Sequence, residues 1–362
     1  MTPSRVIHLT PALFGRRGSF GGGERYAYEL ARAMSAVAPT TLLSFGPEDT
    51  SEQIGELKIR VLGRSHYVRG QRINPISLRL VPELLKADVI HCHQLHIVAS
   101  SVAAAVARAT RRKVFVSDLG GGGWDISAYV STDRWYNGHL HISEYSRRIS
   151  GHIANARAHV IYGGVDVEKF SPSPTSQREP AVLFVGRLLP HKGIDVLIRA
   201  LPVGVPLWII GGEASPDYVA ALRALAQGKT VEFLGNLRDD EIVDRYRRAS
   251  CVVLPSVYRN MYGQESRVPE LLGQTLLEGM SCGAPALCSD VASMPEVVLH
   301  GETGFVFPEH GVEQLRSHIV ELIARPELVK SLGKRARQRV LSLFTWGGVV
   351  DRCLEAYRRP VA

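Results

Sequence analysis

Short runs of β-branched and apolar residues alternate with helix-period segments twice along this chain, and that doubled alternation most narrows what it can fold into. The first round comprises residues 5–10, 24–37, 40–45, 88–92, 98–110 and 113–117. A strand, a crossover helix and another buried strand form a βαβ unit, which requires a parallel sheet covered by helices. At residues 170–180 the pattern stops: FSPSPTSQREP is polar, proline-rich and aperiodic, as a linker is. It restarts with strand-like runs at 181–185, 207–210, 231–234, 251–254 and 284–288. The expected architecture is α/β, with two Rossmann-like domains at 1–172 and 173–344 and a cleft between the carboxyl ends of their sheets, where such sheets bind ligands. The amphipathic segment Trp346–Arg358, within 345–362, comes after the second domain and is expected to cross back to the first.

Bulk properties exclude several classes. With 362 residues and 45% hydrophobic content the chain can bury a large core, so disorder is excluded. The start of the sequence lacks the apolar segment and small-residue cleavage pattern of a signal peptide, and no run approaches the roughly 20 apolar residues of a spanning helix. Five scattered cysteines, none in a C-x-x-C or at zinc-like Cys/His spacing, fit a reducing cytoplasm. The net charge of +8 is uneven: residues 1–170 carry 21 Lys+Arg against 14 Asp+Glu, and residues 171–362 carry 22 against 21. Without a nucleic-acid motif or an aromatic-rich basic surface, nucleic acid is not the expected partner. A phosphate-bearing acceptor or an anionic membrane face, met peripherally, remains to account for the charge.

Two stretches carry chemistry. In VLFVGRLLPHKG, residues 182–193, a buried strand ends at a glycine, Arg187 follows in the turn, and Lys192 stands at the head of a helix. Such a turn aims two cations at one anion, although two solvated charges at a helix start would read the same way. In ELLGQTLLEGMSCG, residues 270–283, Gly273 permits close backbone approach, and Gln274, Thr275 and Leu276 open a helix whose amides can hold phosphate oxygens. Glu278, one turn in, can accept hydrogen bonds from a ribose diol, and Glu270 can reach sugar hydroxyls.

The VGRL…KG motif followed by E-x7-E in ELLGQTLLEGMSCGAP resembles the signature of retaining family 4 glycosyltransferases of the GT-B fold. Lesser matches, GGGERYAYELARAM, HISEYSRR, VIYGGVDVEKFSP, VEFLGNLRDDEIVDRYRRASCVVLPS and PEVVLHGETGFVF, extend over nearly the whole chain. The resemblance implies transfer of a hexose-type unit from a UDP- or GDP-linked sugar to a hydroxyl of a glycan, lipid-linked or small-molecule acceptor. It implies that Arg187 and Lys192 bind the diphosphate, Glu278 the ribose, and Glu270 with Leu271, Leu272, Gly273, Gln274 and Thr275 the sugar and phosphates. Leu234, Gly235, Asn236 and Leu237 would line the base pocket, and Gly21 and Gly22 would close on the diphosphate from the first domain. No metal and no cofactor beyond the nucleotide sugar is expected, in keeping with the absence of a DxD-type carboxylate pair.

The sequence departs from that pattern in two places. Where family members often carry a histidine contacting the donor sugar, VFVSDLGGGGWD places Asp118, which can act on a hydroxyl or simply cap a loop. VYRNMYGQESRVP, residues 257–269, is longer than is usual, and Tyr258, Arg259, Tyr262 and Arg267 can form a lid or an acceptor wall, or an ordinary surface loop. The H-x-H-x-x-H of His91, His93 and His96 lacks carboxylate or cysteine partners and is not read as zinc-binding. His191 is read as an exposed turn residue, and the helix-like basic stretch 64–86, with Arg69, Arg72, Arg79 and Lys86, as a solvated face. Two rival functions are a GT-B-fold nucleotide-sugar epimerase and a non-catalytic nucleotide-sugar-binding subunit.

Overall fold

The computed structural model describes residues 5–11, 22–120 and 122–359. It divides into two compact units, 1–164 with 346–362, and 165–345. The division therefore falls ahead of the proline-rich stretch.

The first unit contains β1 (Val6–Leu9), β2 (Thr40–Phe45), β3 (Thr50–Ile54), β4 (Leu57–Leu62), β5 (His66–Tyr67), β6 (Pro75–Ile76), β7 (Val89–Cys92), β8 (Lys113–Val116), β9 (Gly138–His141) and β10 (Ala158–Val160). Eight of these form one sheet in the order β10-β9-β8-β7-β1-β2-β4-β3, parallel except for the β3–β4 pair, while β5 and β6 make a separate ribbon. Inward residues of β1, β2, β7 and β8, including Ile7, Leu43, Ile90 and Val114, pack with Ala99, Ala103 and Ala107 of the helix Val98–Ala109. That alanine stripe lets the helix lie close to the sheet, and burial of each large aliphatic neighbour contributes ~1.5–3 kcal/mol.

The final helix, Trp346–Arg358, packs on this unit as expected. Trp346 meets Tyr26 edge to face, the Lys113 ammonium donates to the Tyr357 carbonyl at 2.6 Å, and the Arg352 guanidinium donates to the Ile161 carbonyl at 2.9 Å. The basic stretch 64–86 is not one helix: it is the β5–β6 ribbon, a short 3-10 turn and the helix Leu80–Leu84. Gly70 in a left-handed conformation and Pro75 interrupt it, and Arg79 and Lys86 are paired with Asp49 and Glu83. No continuous basic helical face results, and among the described residues no helix is long and apolar enough to cross a membrane.

The second unit holds a six-stranded, wholly parallel sheet built from β11 (Glu179–Val185), β12 (Leu207–Ile210), β13 (Val231–Gly235), β14 (Ala249–Leu254), β15 (Ala286–Ser289) and β16 (Gly304–Phe307). Its order is β13-β12-β11-β14-β15-β16. Chain progress reverses direction on either side of β11, so the topological switch lies between β11 and β14. The corresponding switch in the first unit lies between β1 and β7. Crevices outside the carboxyl ends of strands at these points are where doubly wound sheets take ligands.

His8 on β1, His91 on β7 and His93 just beyond it form a fully buried group, with His91 and His93 ring centroids 4.5 Å apart. His96, grouped with two of them by the sequence, is instead exposed and bonds the Ser127 hydroxyl at 2.7 Å. Burial pushes His8 down to about 3, and burial with the neighbouring imidazoles holds His91 and His93 well below the ordinary histidine range. All three rings are therefore neutral in the folded protein, and falling pH protonates the unfolded chain first. Their effect on stability is absent above about pH 6.5 and destabilising below it, by up to ~1.4 kcal/mol per histidine per pH unit. The melting temperature should thus drop steeply between about pH 6.5 and 5; a flat profile in that window would contradict the buried neutral triad.

Candidate functional site

The carboxyl edge of the second sheet is stitched by backbone hydrogen bonds. Gly186 donates to the Ile210 carbonyl at 2.9 Å, Leu188 to Gly212 at 3.0 Å and Gly211 to Gly235 at 2.8 Å. These bonds bring the ends of β11, β12 and β13 into one surface, which places Leu234, Gly235, Asn236 and Leu237 beside the turn carrying Arg187. Asn236 is exposed at that edge, and no carboxylate among the described residues pairs with the exposed Arg187 guanidinium.

After β11 the chain forms the 3-10 turn Pro190–Lys192 and enters the helix Ile194–Ala200. Between them stands Gly193, with φ +64°, where a Cβ would lie 2.0 Å from the Pro255 carbonyl oxygen just after β14. Only glycine provides both the left-handed backbone and the missing side chain. The contact joins the two strand ends that flank the switch, and Val257 N–H strengthens it by donating to the His191 carbonyl at 2.9 Å.

Lys192 is ion-paired with Glu270, and both side chains are largely buried, at 17% and 10% exposure. The Ser256 hydroxyl donates to the same Glu270 oxygen at 3.0 Å. Nothing in the sequence marks Ser256 except its place after a strand. His191 is half-buried, not an exposed turn residue. Burial lowers its pKa, Lys192 and Arg187 push it the same way, and Glu270 opposes them.

The helix Gln274–Ser281 begins at Gly273, φ +79°, an N-cap residue with no side chain of its own to cap the amides. Of the three amides that the sequence offers to an anion, that of Leu276 is already donated to the Gly273 carbonyl at 3.0 Å. The first turn, with Leu271 and Leu272 before it, comes directly after Glu270, so the positive end of the helix dipole and Lys192 occupy the same end of the sheet. Glu278 is 4% exposed and accepts a 3.0 Å hydrogen bond from the buried Tyr246 hydroxyl. It is thus held on the inner side of its helix, separate from the Lys192–Glu270 pair.

Residues 257–269 are an ordered hairpin. Arg259 and Glu265 form a β-bridge, Ser266 N–H donates to the Tyr258 carbonyl at 2.7 Å, and Glu309 accepts from the amides of Tyr258 and Arg259 at 2.7 and 3.1 Å. Tyr262, near the tip, is exposed.

In the first unit, Asp118 lies just after β8 and accepts from the Gly120 amide at 3.3 Å, the local turn that the loop-capping reading described. Ser117 beside it is buried and bonds His91, whose other nitrogen meets the Tyr357 hydroxyl, each at 2.8 Å. Gly22 opens the helix Gly22–Ser35, and a Cβ on Gly23 would meet Leu119 at 3.6 Å, so that helix starts next to the Asp118 loop. Gly21 lies outside the described residues.

Comparison with known proteins bears on this geometry. The family described as "Glycosyl transferases group 1" matches residues 166–339, and "Glycosyltransferase Family 4" matches residues 20–169. A D-inositol 3-phosphate glycosyltransferase of Mycobacteroides abscessus is 30% identical over 239 residues, covering 60% of this chain and 50% of the relative. A GDP-mannose-dependent alpha-(1-6)-phosphatidylinositol monomannoside mannosyltransferase of Mycobacterium tuberculosis is 28% identical, over 70% of this chain and 65% of the relative. The chain thus spans about half to two thirds of the length of these relatives. Among solved structures, sucrose-phosphate synthase of Thermosynechococcus elongatus matches with TM-score 0.72 and 20% identity over 98% of both chains. HepE of Anabaena, in complex with UDP and glucose, matches with TM-score 0.73 and 18% identity over 97% of this chain and 98% of its own. At these identities the likeness shows the fold alone, which is GT-B.

The Gly193–Pro255 contact predicts the cost of disturbing this edge. Gly193→Ala should destabilise the protein by roughly 2–4 kcal/mol, combining backbone strain with the clash. Gly204→Ala, at φ +78° with nothing within 4 Å, carries the strain alone and should cost about 1 kcal/mol. Urea unfolding of the two variants checks the difference; equal costs would remove the close approach from the account.

Proposed function

The chain belongs to the group 1 and family 4 glycosyltransferases, whose matches together run from residue 20 to residue 339, and on that premise we propose that it transfers a hexose-type unit from a nucleotide-diphosphate sugar to an acceptor hydroxyl with retention of anomeric configuration. The observation that carries this reading is the convergence at the β11–β14 switch of Lys192, Glu270 and Ser256, beside the exposed Arg187 and the helix start at Gly273.

Breaking the bond between the anomeric carbon and the diphosphate builds positive charge on the sugar and negative charge on the departing phosphate. Fixed cations and amide dipoles aimed at that phosphate lower the barrier because they need no reorganisation as the charge appears. Arg187 and Lys192 serve as these cations, with Gly273, Gln274 and Thr275 supplying the backbone end of the helix. Glu270 holds Lys192 in place before the donor arrives and presents its second oxygen to sugar hydroxyls. Glu278 accepts from the ribose, with Tyr246 fixing its orientation. Leu234, Gly235, Asn236 and Leu237 border the base. Asp118 in the first unit acts on the acceptor or the sugar.

The relatives point to the donor only as a class: one is named for GDP-mannose, and a structural neighbour is seen with UDP and glucose. The named acceptors among the relatives, an inositol phosphate and a phosphatidylinositol mannoside, are both anionic. A phosphate-bearing acceptor accounts for the excess of 21 basic over 14 acidic residues in 1–170 without requiring a membrane face.

Arg187→Ala should lower turnover by ~100-fold or more, as loss of one preorganised charge stabiliser does, while leaving the melting temperature unchanged because the side chain is exposed and has no carboxylate partner among the described residues. Near-normal turnover would sink the assignment. A thermal-shift series with UDP-, GDP- and ADP-sugars should single out one base, since a donor at 100 times its Kd stabilises by ~2.7 kcal/mol. Release of free nucleotide only in the presence of acceptor separates transfer from epimerisation and from donor binding alone.

A further inference from the structure

We propose that Asp133, His139 and His152 form a binding site for one divalent transition-metal ion of the zinc type, built into the outer part of the first sheet and independent of sugar transfer. One ligand atom from each of the three residues lies within 4.8 Å of those of the other two.

The row of side chains across the parallel strands shows why the site is unusual. Leu9 on β1, Cys92 on β7 and Val116 on β8 are in register, and His139 on β9 continues that row. The first three belong to the hydrophobic core. At β9 the row changes from aliphatic to imidazole, and His141, two residues on and on the same face, repeats the change. Both rings are buried, with His139 2% and His141 6% exposed. His152 lies beyond the helix Glu144–Ile149, is 6% exposed and brings its ring centroid to 4.2 Å from that of His139.

The hydrogen bonds leave ligand positions open and fix the orientation of the rings. His152 Nδ1 is engaged by His141 Nε2 at 3.0 Å, which turns His152 Nε2 toward Asp133 Oδ2 at 3.8 Å. His139 Nε2 meets the backbone carbonyl of Asp133 at 3.2 Å. A ligating imidazole whose other nitrogen is held by an outer partner is the usual support of a metal-bound histidine, and His141 occupies that position for His152. The nearby cations are occupied: the Arg157 guanidinium donates to the Tyr136 carbonyl at 3.2 Å, and Arg147 pairs with Glu144 at 3.0 Å.

Two imidazoles and one carboxylate are a donor set for zinc and its neighbours rather than for calcium or magnesium. Bonds of ~2.0–2.2 Å require the donors to close by about 1 Å, and the Asp133 side chain, 48% exposed, has the freedom to move and gives the ion a route in. A water completes the fourth position. The other histidine group is a poorer candidate despite its burial. It has no carboxylate, and both nitrogens of His91 are already bonded, to Ser117 and Tyr357. A metal at Asp133 would join the 3-10 turn Asp133–Trp135, β9 and the segment after the helix Glu144–Ile149, next to the edge strand β10.

The test is titration of the full chain, first stripped with EDTA, with Zn2+ against a competing chelator. The expected result is one tightly bound equivalent and a melting temperature that rises with Zn2+. Asp133→Asn, a change at a half-exposed side chain, should weaken that equivalent by ~100-fold or more while leaving the EDTA-treated melting temperature in place. His141→Gln, which removes only the orienting ring, should weaken it by ~10–100-fold. Absence of a stoichiometric tight equivalent in the unmodified chain, or an unchanged affinity in Asp133→Asn, overturns the proposal. Both results are read without donor or acceptor and so are distinct from the fate of the transferase assignment.

Discussion

The second unit depends on the packing of two peptide segments at the ends of β11 and β14. At Gly193 the backbone turns left-handed and passes within a missing Cβ of the Pro255 carbonyl. Because the two strands are neighbours in the sheet, this contact fixes the distance between the segments that leave them: the turn with Arg187, His191 and Lys192 on one side, and Ser256 with Glu270 on the other. A sheet alone places strand ends within hydrogen-bonding distance, but it does not set how deeply one loop sits in another. The glycine does, and the buried Lys192–Glu270 pair bridges the same two segments. Burial of two charges is costly unless each is paired and further hydrogen-bonded, which the Ser256 hydroxyl supplies on the carboxylate side.

The same requirement, that groups removed from water find partners, is met differently in the first unit. Its switch point is filled by neutral imidazoles. The final helix crosses to this unit and delivers the Tyr357 hydroxyl to His91, whose opposite nitrogen bonds Ser117, the residue before Asp118. The chain's last element is thereby connected, through one buried ring, to the loop on which the sequence departs most clearly from the family pattern. Hydroxyl, imidazole and hydroxyl form a line of 2.8 Å hydrogen bonds that ends one residue before Asp118.

How much of this is legible in the sequence varies with how strongly each element depends on apolar burial. Parallel strands buried on both faces advertise themselves as aliphatic runs, and β1, β2, β7, β8 and five of the six strands of the second sheet can be read to within two residues, whereas β16, the four-residue run GFVF after a glycine-rich turn, goes unread. β3, reading TSEQI with every residue exposed, carries no such signal because it pairs only along one edge. β9 is hidden for a different reason: its inward positions are His139 and His141 where a pattern search expects aliphatics. The signature residues Arg187, Lys192, Glu270 and Glu278 are identifiable because their spacing around glycines is unusual, whereas Ser256 and Tyr246, which orient two of them, are single polar residues in unremarkable contexts. Contacts made by one hydroxyl leave no period to detect. The same holds for His8, which meets His91 and His93 across strand register rather than along the chain.

The residues proposed to grip a nucleotide sugar by its phosphates say little about which sugar or acceptor is meant, because diphosphate and ribose are common to such donors. Discrimination requires contacts that a wrong substrate would leave unmade, and a buried polar group left without its partner imposes the largest penalty. Two places on this chain have the necessary character. Asp118 presents a carboxylate in a turn where it accepts from the Gly120 amide at 3.3 Å, a long contact that a hydroxyl can replace without dismantling the fold. The hairpin at 257–269 is the reverse: pinned by Glu309 at its base and closed by the Arg259–Glu265 bridge, it is rigid where it meets the sheet and exposes Tyr262 near its tip. A rigid loop with an exposed aromatic loses little freedom on binding and so favours one shape of ligand over others. Asp118 is thus an adaptable carboxylate and the 257–269 hairpin a fixed aromatic element, and each can discriminate among the ligands that reach its own unit.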